Sequence, residues 1–218
     1  MYKLILFDLD GTLTDSKDGI INCVKYALES FGINENDEKK LFRFIGPPLY
    51  DSFRGIYGFS HNEAVRAVEK YRERFTDTGI FENSIYADTV KSLKLLKNHG
   101  KTLALATSKP FVYAERILKY FKINDFFDFA SGAEPDGSLG YKDEVIKKVL
   151  NEANTFPLSE TVIIGDREND VQGAKKCGIS CIGLRRGYAA ENELESAGAD
   201  YIFDDLLCAA RFIVNQGN

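Results

Sequence analysis

Residues 4–15 read Leu4-Ile5-Leu6-Phe7-Asp8-Leu9-Asp10-Gly11-Thr12-Leu13-Thr14-Asp15, and four apolar residues run straight into two acids spaced two apart. A short apolar run closed by a glycine predicts a strand buried on both faces, over residues 4–8. The carboxyl end of such a strand is where open α/β sheets place their ligands. Two carboxylates there repel each other unless a cation or a proton shares the site. One of them can attack an electrophile while its neighbour moves a proton. Two plainer readings compete. Asp-Gly pairs form turns, and a calcium loop starts with spaced acids. The calcium loop fails on its own rules, because the sixth position counted from Asp8 is Leu13 and the twelfth is Gly19, not glycine and glutamate.

Working outward, apolar runs of strand length recur at 102–107, 161–165, 180–184 and 200–203, with a weaker one at 127–130. Helical patterns lie between most of them, at 87–99, 111–121, 141–153 and 168–177, and Gly100 and Gly178 follow helical runs as C-terminal caps would. This alternation predicts an α/β fold with right-handed crossovers and a parallel sheet covered on both faces. Residues 16 to about 85 break the pattern. Ile20, Ile21, Val24, Ala27, Leu28 and Phe31 share one helical face, Val65, Val68, Tyr71, Arg72 and Phe75 suggest another, and Gly46-Pro47-Pro48 punctuates the interval. The segment reads as an all-helical insert immediately after the first strand.

Composition narrows the function classes. The chain has 218 residues, 44% of them hydrophobic, and a mean hydropathy of -0.24, which fits a globular protein with a real core. No apolar run approaches the roughly 20 residues that cross a bilayer. A core strand begins within three residues of Met1, so we expect no signal peptide and a cytoplasmic protein. The net charge of -5 comes from 28 basic and 33 acidic residues that are intermixed. No basic stripe is offered to nucleic acid, and neither nucleic acid nor membrane is an expected partner. Cys23, Cys177, Cys181 and Cys208 form no CxxC pair, and His61 and His99 are far apart, so a zinc site is not expected. We expect the cysteines to be buried small hydrophobes in a reduced compartment.

The segment Phe7-Asp8-Leu9-Asp10-Gly11-Thr12-Leu13 resembles motif I of the haloacid dehalogenase (HAD) superfamily. Leu103 to Thr107 followed by Ser108 is similar to its motif II, Lys142 sits where motif III supplies a lysine, and Val162 to Asp170 resembles motif IV in its GDxxxD form. The four occur in the family's order across nearly the whole chain. The resemblance implies a Rossmann-like parallel core formed by residues 1–15 and 86–218. It also implies a helical cap at 16–85, in the position of the subclass I arrangement.

It further implies the chemistry. Asp8 would be the nucleophile, forming an aspartyl-phosphate, and Asp10 the acid and base that protonates the leaving oxygen and then deprotonates water. Aspartate at position 10 favours phosphate-ester hydrolysis or phosphomutase chemistry. Asp166, the Asp8 carboxylate and the Asp10 backbone carbonyl would hold Mg2+, an all-oxygen set that suits a hard cation. Asp170 could ligate directly or through water, or orient Lys142, and the outer shell is the preferred reading, although acids at a helix N-terminus are also favoured by the dipole alone.

Thr107 and Ser108 would cradle phosphate oxygens at a helix N-terminus, or serve as plain N-caps. Lys142 would neutralise transition-state charge. Lys109 could touch substrate but reads rather as a surface lysine, and Arg185, Arg186 and Tyr188, which follow a strand and could overlook the active-site edge, read as surface or rim residues. Phe44 to Leu49 is either a loop facing the site or a helix-breaking corner. Within subclass I, FIGPPL, RERF, GIFEN and ATSKP resemble the phosphoglycolate phosphatase group and its 5′-nucleotidase-like branch. The expected activity is Mg2+-dependent hydrolysis of a small phosphorylated metabolite by a monomer or homodimer. The alternatives are a phosphomutase and a non-catalytic binding protein on the same fold.

Overall fold

A computed structural model of the chain describes residues 1–136 and 138–216. Gly137, one of the two glycines that precede Lys142, lies outside the described residues. The first strand, β1 (Leu4–Phe7), is buried along its whole length. Behind it come the two-residue strand β2 (Thr14–Asp15), four helices, and its partner β3 (Ser84–Ile85). The rest alternates: α5 (Thr89–Asn98), β4 (Thr102–Pro110), α6 (Phe111–Tyr120), β5 (Phe129–Ala133), α7 (Lys142–Glu152), β6 (Thr161–Gly165), α8 (Glu168–Cys177), β7 (Ser180–Leu184), α9 (Glu193–Ala197), β8 (Tyr201–Phe203) and α10 (Leu206–Asn215).

Six strands form one parallel sheet in the order β5-β4-β1-β6-β7-β8. Successive side chains of a strand point to opposite faces, and each face here has its own apolar layer. Ile5, Phe7, Leu103, Leu105, Val162 and Ile164 pack with residues of α5, α6 and α10. Leu4, Leu6, Ala104, Ala106 and Ile163 pack with residues of α7 and α8. That double coverage is why the strands read as unbroken apolar runs. From β1 the chain crosses first to β4 on one side and later to β6 on the other. The strand order therefore switches direction at the carboxyl end of β1, the position where such sheets form a crevice.

The expected helices at 87–99, 111–121, 141–153 and 168–177 appear as α5 to α8 with ends shifted by at most two residues. Two sheet expectations move. The weak strand lies at 129–133 rather than 127–130, because a 3-10 turn occupies Asn124–Phe126 and Phe127 leads out of it. The second strand runs to Pro110 rather than stopping at Thr107, with a register shift between Ala106 and Pro110.

The helical insert contains α1 (Lys17–Glu29), α2 (Glu38–Phe42), α3 (Leu49–Tyr57) and α4 (His61–Phe75). Ser60 caps α4, accepting a hydrogen bond from Glu63 N while the Glu63 carboxylate accepts from Ser60 N. At its neck β2 and β3 pair antiparallel, Thr14 opposite Ile85 and Asp15 opposite Ser84. Cys23 and Cys181 are buried as expected, but Cys177 is only partly covered and Cys208 is exposed on the first turn of α10. Among the described residues no helix is long and apolar enough to cross a membrane.

Candidate active site

The carboxyl ends of β1, β4 and β6 bring the sequence motifs together. Asp8 follows β1 and is anchored by its own N–H, which donates to Ile164 O at 2.9 Å. Lys142, at the first position of α7, reaches across and places its ammonium 2.7 Å from Asp8 Oδ1, 3.1 Å from Ala106 O and 2.9 Å from Asp170 Oδ1. Asp166 follows β6 and accepts from Thr12 Oγ1 at 3.0 Å and from the Tyr188 N–H at 2.8 Å. Asp170, in the first turn of α8, accepts from the Arg167 N–H at 3.1 Å. One carboxylate oxygen from each of Asp8, Asp166 and Asp170 lies within 4.8 Å of the others, and all three residues are buried. Gly11 makes this approach possible. Its backbone is left-handed (φ +82), and a Cβ there would stand 2.3 Å from Asp166 Oδ2.

Burial dominates the electrostatics. It pushes the Asp8 carboxyl up to about 6, with Asp170 and Asp10 adding to the rise and Lys142 opposing it. Asp166 is raised well above the ordinary carboxylate range by burial and by the charges of Asp170 and Asp8. Burial pulls the Lys142 ammonium down, but Asp170 and Asp8 together outweigh it and hold the lysine charged. The Lys142 ammonium thus pairs with two of the three buried carboxylates, Asp8 and Asp170, and Asp170 Oδ1, though close to it, lacks hydrogen-bond geometry. A crowded, all-oxygen, under-neutralised set of this kind fits a hard divalent cation.

Asp10 points elsewhere. Its Oδ1 is 2.9 Å from Lys109 Nζ, and the Lys109 side chain is only 7% exposed, so the surface reading of Lys109 is corrected. The ammonium also lies 4.9 Å from the centre of the Phe75 ring in α4, a contact between insert and sheet edge. Its place after the second strand marked Lys109 as able to touch substrate, but nothing local marked its partner, which is 99 residues away.

The placement of Thr107 and Ser108 is corrected as well. Both lie inside β4, and α6 begins only at Phe111 with Pro110 as its N-cap, so neither hydroxyl caps a helix. Thr107 Oγ1 accepts instead from Lys109 N at 3.3 Å, one residue beyond the carbonyl that Lys142 binds.

Past β7, Arg185 is at the rim as expected, paired with Glu195 at 2.6 Å. Arg186 and Tyr188 are half-buried at that rim and tied down by hydrogen bonds. Arg186 donates to Thr12 O and to Asp88, and its guanidinium covers the Tyr86 ring at 4.2 Å. The Tyr188 hydroxyl donates to Asp15 Oδ1 at 2.8 Å and accepts from Ser16 N at 2.9 Å, fastening the neck of the insert to the loop that holds Asp166. The only sequence signal for them was their position just beyond a strand's carboxyl end.

Between insert and sheet edge lies a pocket that reaches Asp10 and Lys109 and is walled by Phe44, Gly46, Tyr71 and Phe75 among others. The 44–49 segment therefore faces the site. Arg167, which the sequence did not single out, is buried beneath that segment and donates to Ile45 O.

The model of the haloacid dehalogenase-like hydrolase family matches residues 5–184. A 5′-nucleotidase from Pseudomonas aeruginosa is 41% identical over 205 residues, which cover 94% of this chain and 92% of that protein. Among solved structures, a predicted phosphatase from Clostridium acetobutylicum superposes with a TM-score of 0.95 at 40% identity, with 99% of each chain covered. A haloacid dehalogenase-like family hydrolase from Streptococcus pneumoniae gives a TM-score of 0.88 at 30% identity, covering 97% of this chain and 98% of that one.

Proposed function

Because this chain belongs to the haloacid dehalogenase-like hydrolases and is a phosphatase, we propose that it is a Mg2+-dependent phosphomonoesterase that works through an aspartyl-phosphate on Asp8. The observation that carries this reading is the buried Asp8–Lys142 pair at 2.7 Å inside a cluster of three carboxylates at the sheet's switch point. An Asp8 oxygen attacks phosphorus, and the bond from phosphorus to the ester oxygen breaks. Asp10 gives its proton to the leaving oxygen, then takes one from the water that cleaves the acyl phosphate and frees inorganic phosphate. Lys142 offsets the charge that builds on the transferring group. Thr107 and Ser108, at the end of β4, hold phosphate oxygens. Asp8, the Asp10 backbone carbonyl and Asp166 would hold the Mg2+, which supplies charge neutralisation for the approach of a phosphate dianion to a carboxylate. Asp170 orients Lys142 and offers a further oxygen directly or through water.

Residues 16–85 act as a cap over a core made of 1–15 and 86–218, and the pocket between them receives the leaving group. Its aromatic walls and the likeness to a 5′-nucleotidase support a leaving group larger and less polar than glycolate, such as a nucleoside. A phosphate-release screen over several dozen phosphate esters with Mg2+ tests the reading. The expected result is stoichiometric inorganic phosphate, highest with nucleoside monophosphates. Isomerised sugar phosphate without phosphate release would point to a phosphomutase, and no turnover of any ester would sink the enzyme reading.

A further inference from the structure

Arg167 follows Asp166 directly and touches both halves of the site, a position the proposed chemistry leaves unused. Its peptide N–H holds Asp170 Oδ2 at 3.1 Å. Its guanidinium, on a residue 9% exposed, donates from Nη1 to the carbonyl of Ile45 in the insert and from Nε to Glu193 Oε1 at 2.8 Å. A structural ion pair with Glu193 does not account for this arrangement. Glu193 is already fixed by two main-chain donors, Glu168 N at 2.9 Å and Ala190 N at 2.8 Å. A carboxylate so held acts as a fixed bracket. It takes the Nε edge of the guanidinium and leaves the Nη edge aimed at the insert.

The next insert residue reinforces the contact. Gly46 has φ +110, and a Cβ added there would lie 3.3 Å from Arg167 Cγ, so the loop backbone rests on the arginine stem. Stem and tip together fix the height of this loop. The same loop walls the pocket whose floor is Asp10. Few exposed contacts could set that distance so firmly, because the buried Nη1 donor and the buried Ile45 carbonyl both lose their partner if the loop lifts, while Glu193 keeps the Nε edge where it is.

Resting on the phosphatase reading above, we propose that Arg167 is a positioning residue that registers the 44–49 loop, and with it the leaving group, on the carboxylate cluster. It touches no reacting atom. A leaving group that fills the pocket is aligned through it, and a leaving group too small to reach the loop is not.

The test compares p-nitrophenyl phosphate, whose aryl leaving group is large and apolar enough to reach the pocket's aromatic walls, with acetyl phosphate, whose leaving group is too small to do so. Arg167→Met keeps the stem and removes both donors. It should lower kcat/KM for the aryl ester about 10- to 100-fold, the scale of a displacement of about 1 Å, and lower that for acetyl phosphate far less. Arg167→Lys, which retains one charged donor, should recover part of the loss. Equal losses on both substrates, or no loss on either, would overturn the proposal. If Arg167→Met does not fold, Gly46→Ala leaves the arginine in place and crowds the loop off it. The same selective loss is expected there, and its absence overturns the proposal. Asp8→Asn in the same assay keeps the two readings apart. Retained hydrolysis in that variant rejects the aspartyl-phosphate, whereas the substrate ratio in the Arg167 variants judges the loop alone.

Discussion

Asp8 and Lys142 are separated by 134 residues and meet at 2.7 Å with almost no solvent access. Replacing one partner therefore has opposite consequences for stability and activity. Asp8→Asn should abolish turnover, since an amide is a poor nucleophile, and loss of ~8 kcal/mol of barrier lowering corresponds to about six decades in rate. The same variant should melt no lower than wild type without metal, because burial and the neighbouring acids disfavour the ionised Asp8. Lys142→Met should do the reverse to stability. It strands Asp8 and Asp170 as buried, unpaired charges, at a cost of about 3–5 kcal/mol. Combining it with Asp8→Asn should recover part of that loss, as coupled sites do. Calorimetry on the three variants checks the order, and a simple sum of the two single effects would deny the coupling. Asp8, Asp10 and Asp166 were legible in the sequence because they close apolar runs, and Asp170 through the GDxxxD resemblance that places it four residues after Asp166. The burial of Lys109 was not, because a lysine beside a strand end is solvated unless a distant carboxylate takes it, as Asp10 does here.

Strands buried on both faces and amphipathic helices were readable because their periodicity is set by what covers them. The ribbon of β2 and β3 was not, since two-residue strands carry no periodicity. The end of β4 lies beyond the expected one because Ser108-Lys109-Pro110 has the pattern of a helix start, whereas pairing to β5 extends the strand. At this scale the insert loop and the neck make separate predictions. An alanine series through Phe44 to Leu49 should change relative kcat/KM among bulky esters and alter acetyl phosphate hydrolysis much less. Uniform losses would assign the loop a purely structural role. Tyr188→Phe removes two hydrogen bonds at the neck and leaves the backbone donor to Asp166. It should cost about 1–3 kcal/mol, read as a lower Tm, with hydrolysis of acetyl phosphate largely retained. Full loss of activity in a folded Tyr188→Phe protein would instead place the hydroxyl in the chemistry.

For the whole molecule, the carboxylate cluster makes stability depend on pH and on metal together. Asp8 titrates in the folded protein near 6, above its value in an unfolded chain, and Asp166 is displaced in the same direction. A raised carboxylate favours folding while protonated, and that contribution is lost as pH rises through the folded value. In EDTA the protein should therefore lose stability between about pH 4 and about pH 7 from this source. Carboxylates that are lowered act in the opposite sense: Glu193, whose bonds to Arg167 and two backbone N–H groups outweigh its burial, contributes stability that is lost as pH falls. Mg2+ should restore stability far more at about pH 8 than at about pH 5, because protons compete for the same oxygens. Thermal melts at both pH values with and without Mg2+ test this, as does phosphatase activity after chelation and Mg2+ return. An identical Mg2+ shift at both pH values would separate the metal from Asp8 and Asp166.

The sequence by itself determined the alternation of elements, the parallel sheet, the insertion after β1 and the acids at the strand ends. Each is dictated by local periodicity or by chain order, which survive without knowledge of contacts. Only the tertiary structure decided that Lys109 holds Asp10, that Arg186 and Tyr188 fasten the neck, and that Arg167 carries the insert loop. These side chains are charged or amphipathic, and their local sequence is the same whether the head meets water or a buried partner. What fixes the outcome is desolvation. Residues such as Asp10 and Ile45, remote in the chain, arrive at the same buried place, and there a charge or a carbonyl must find a partner or pay the cost of having none.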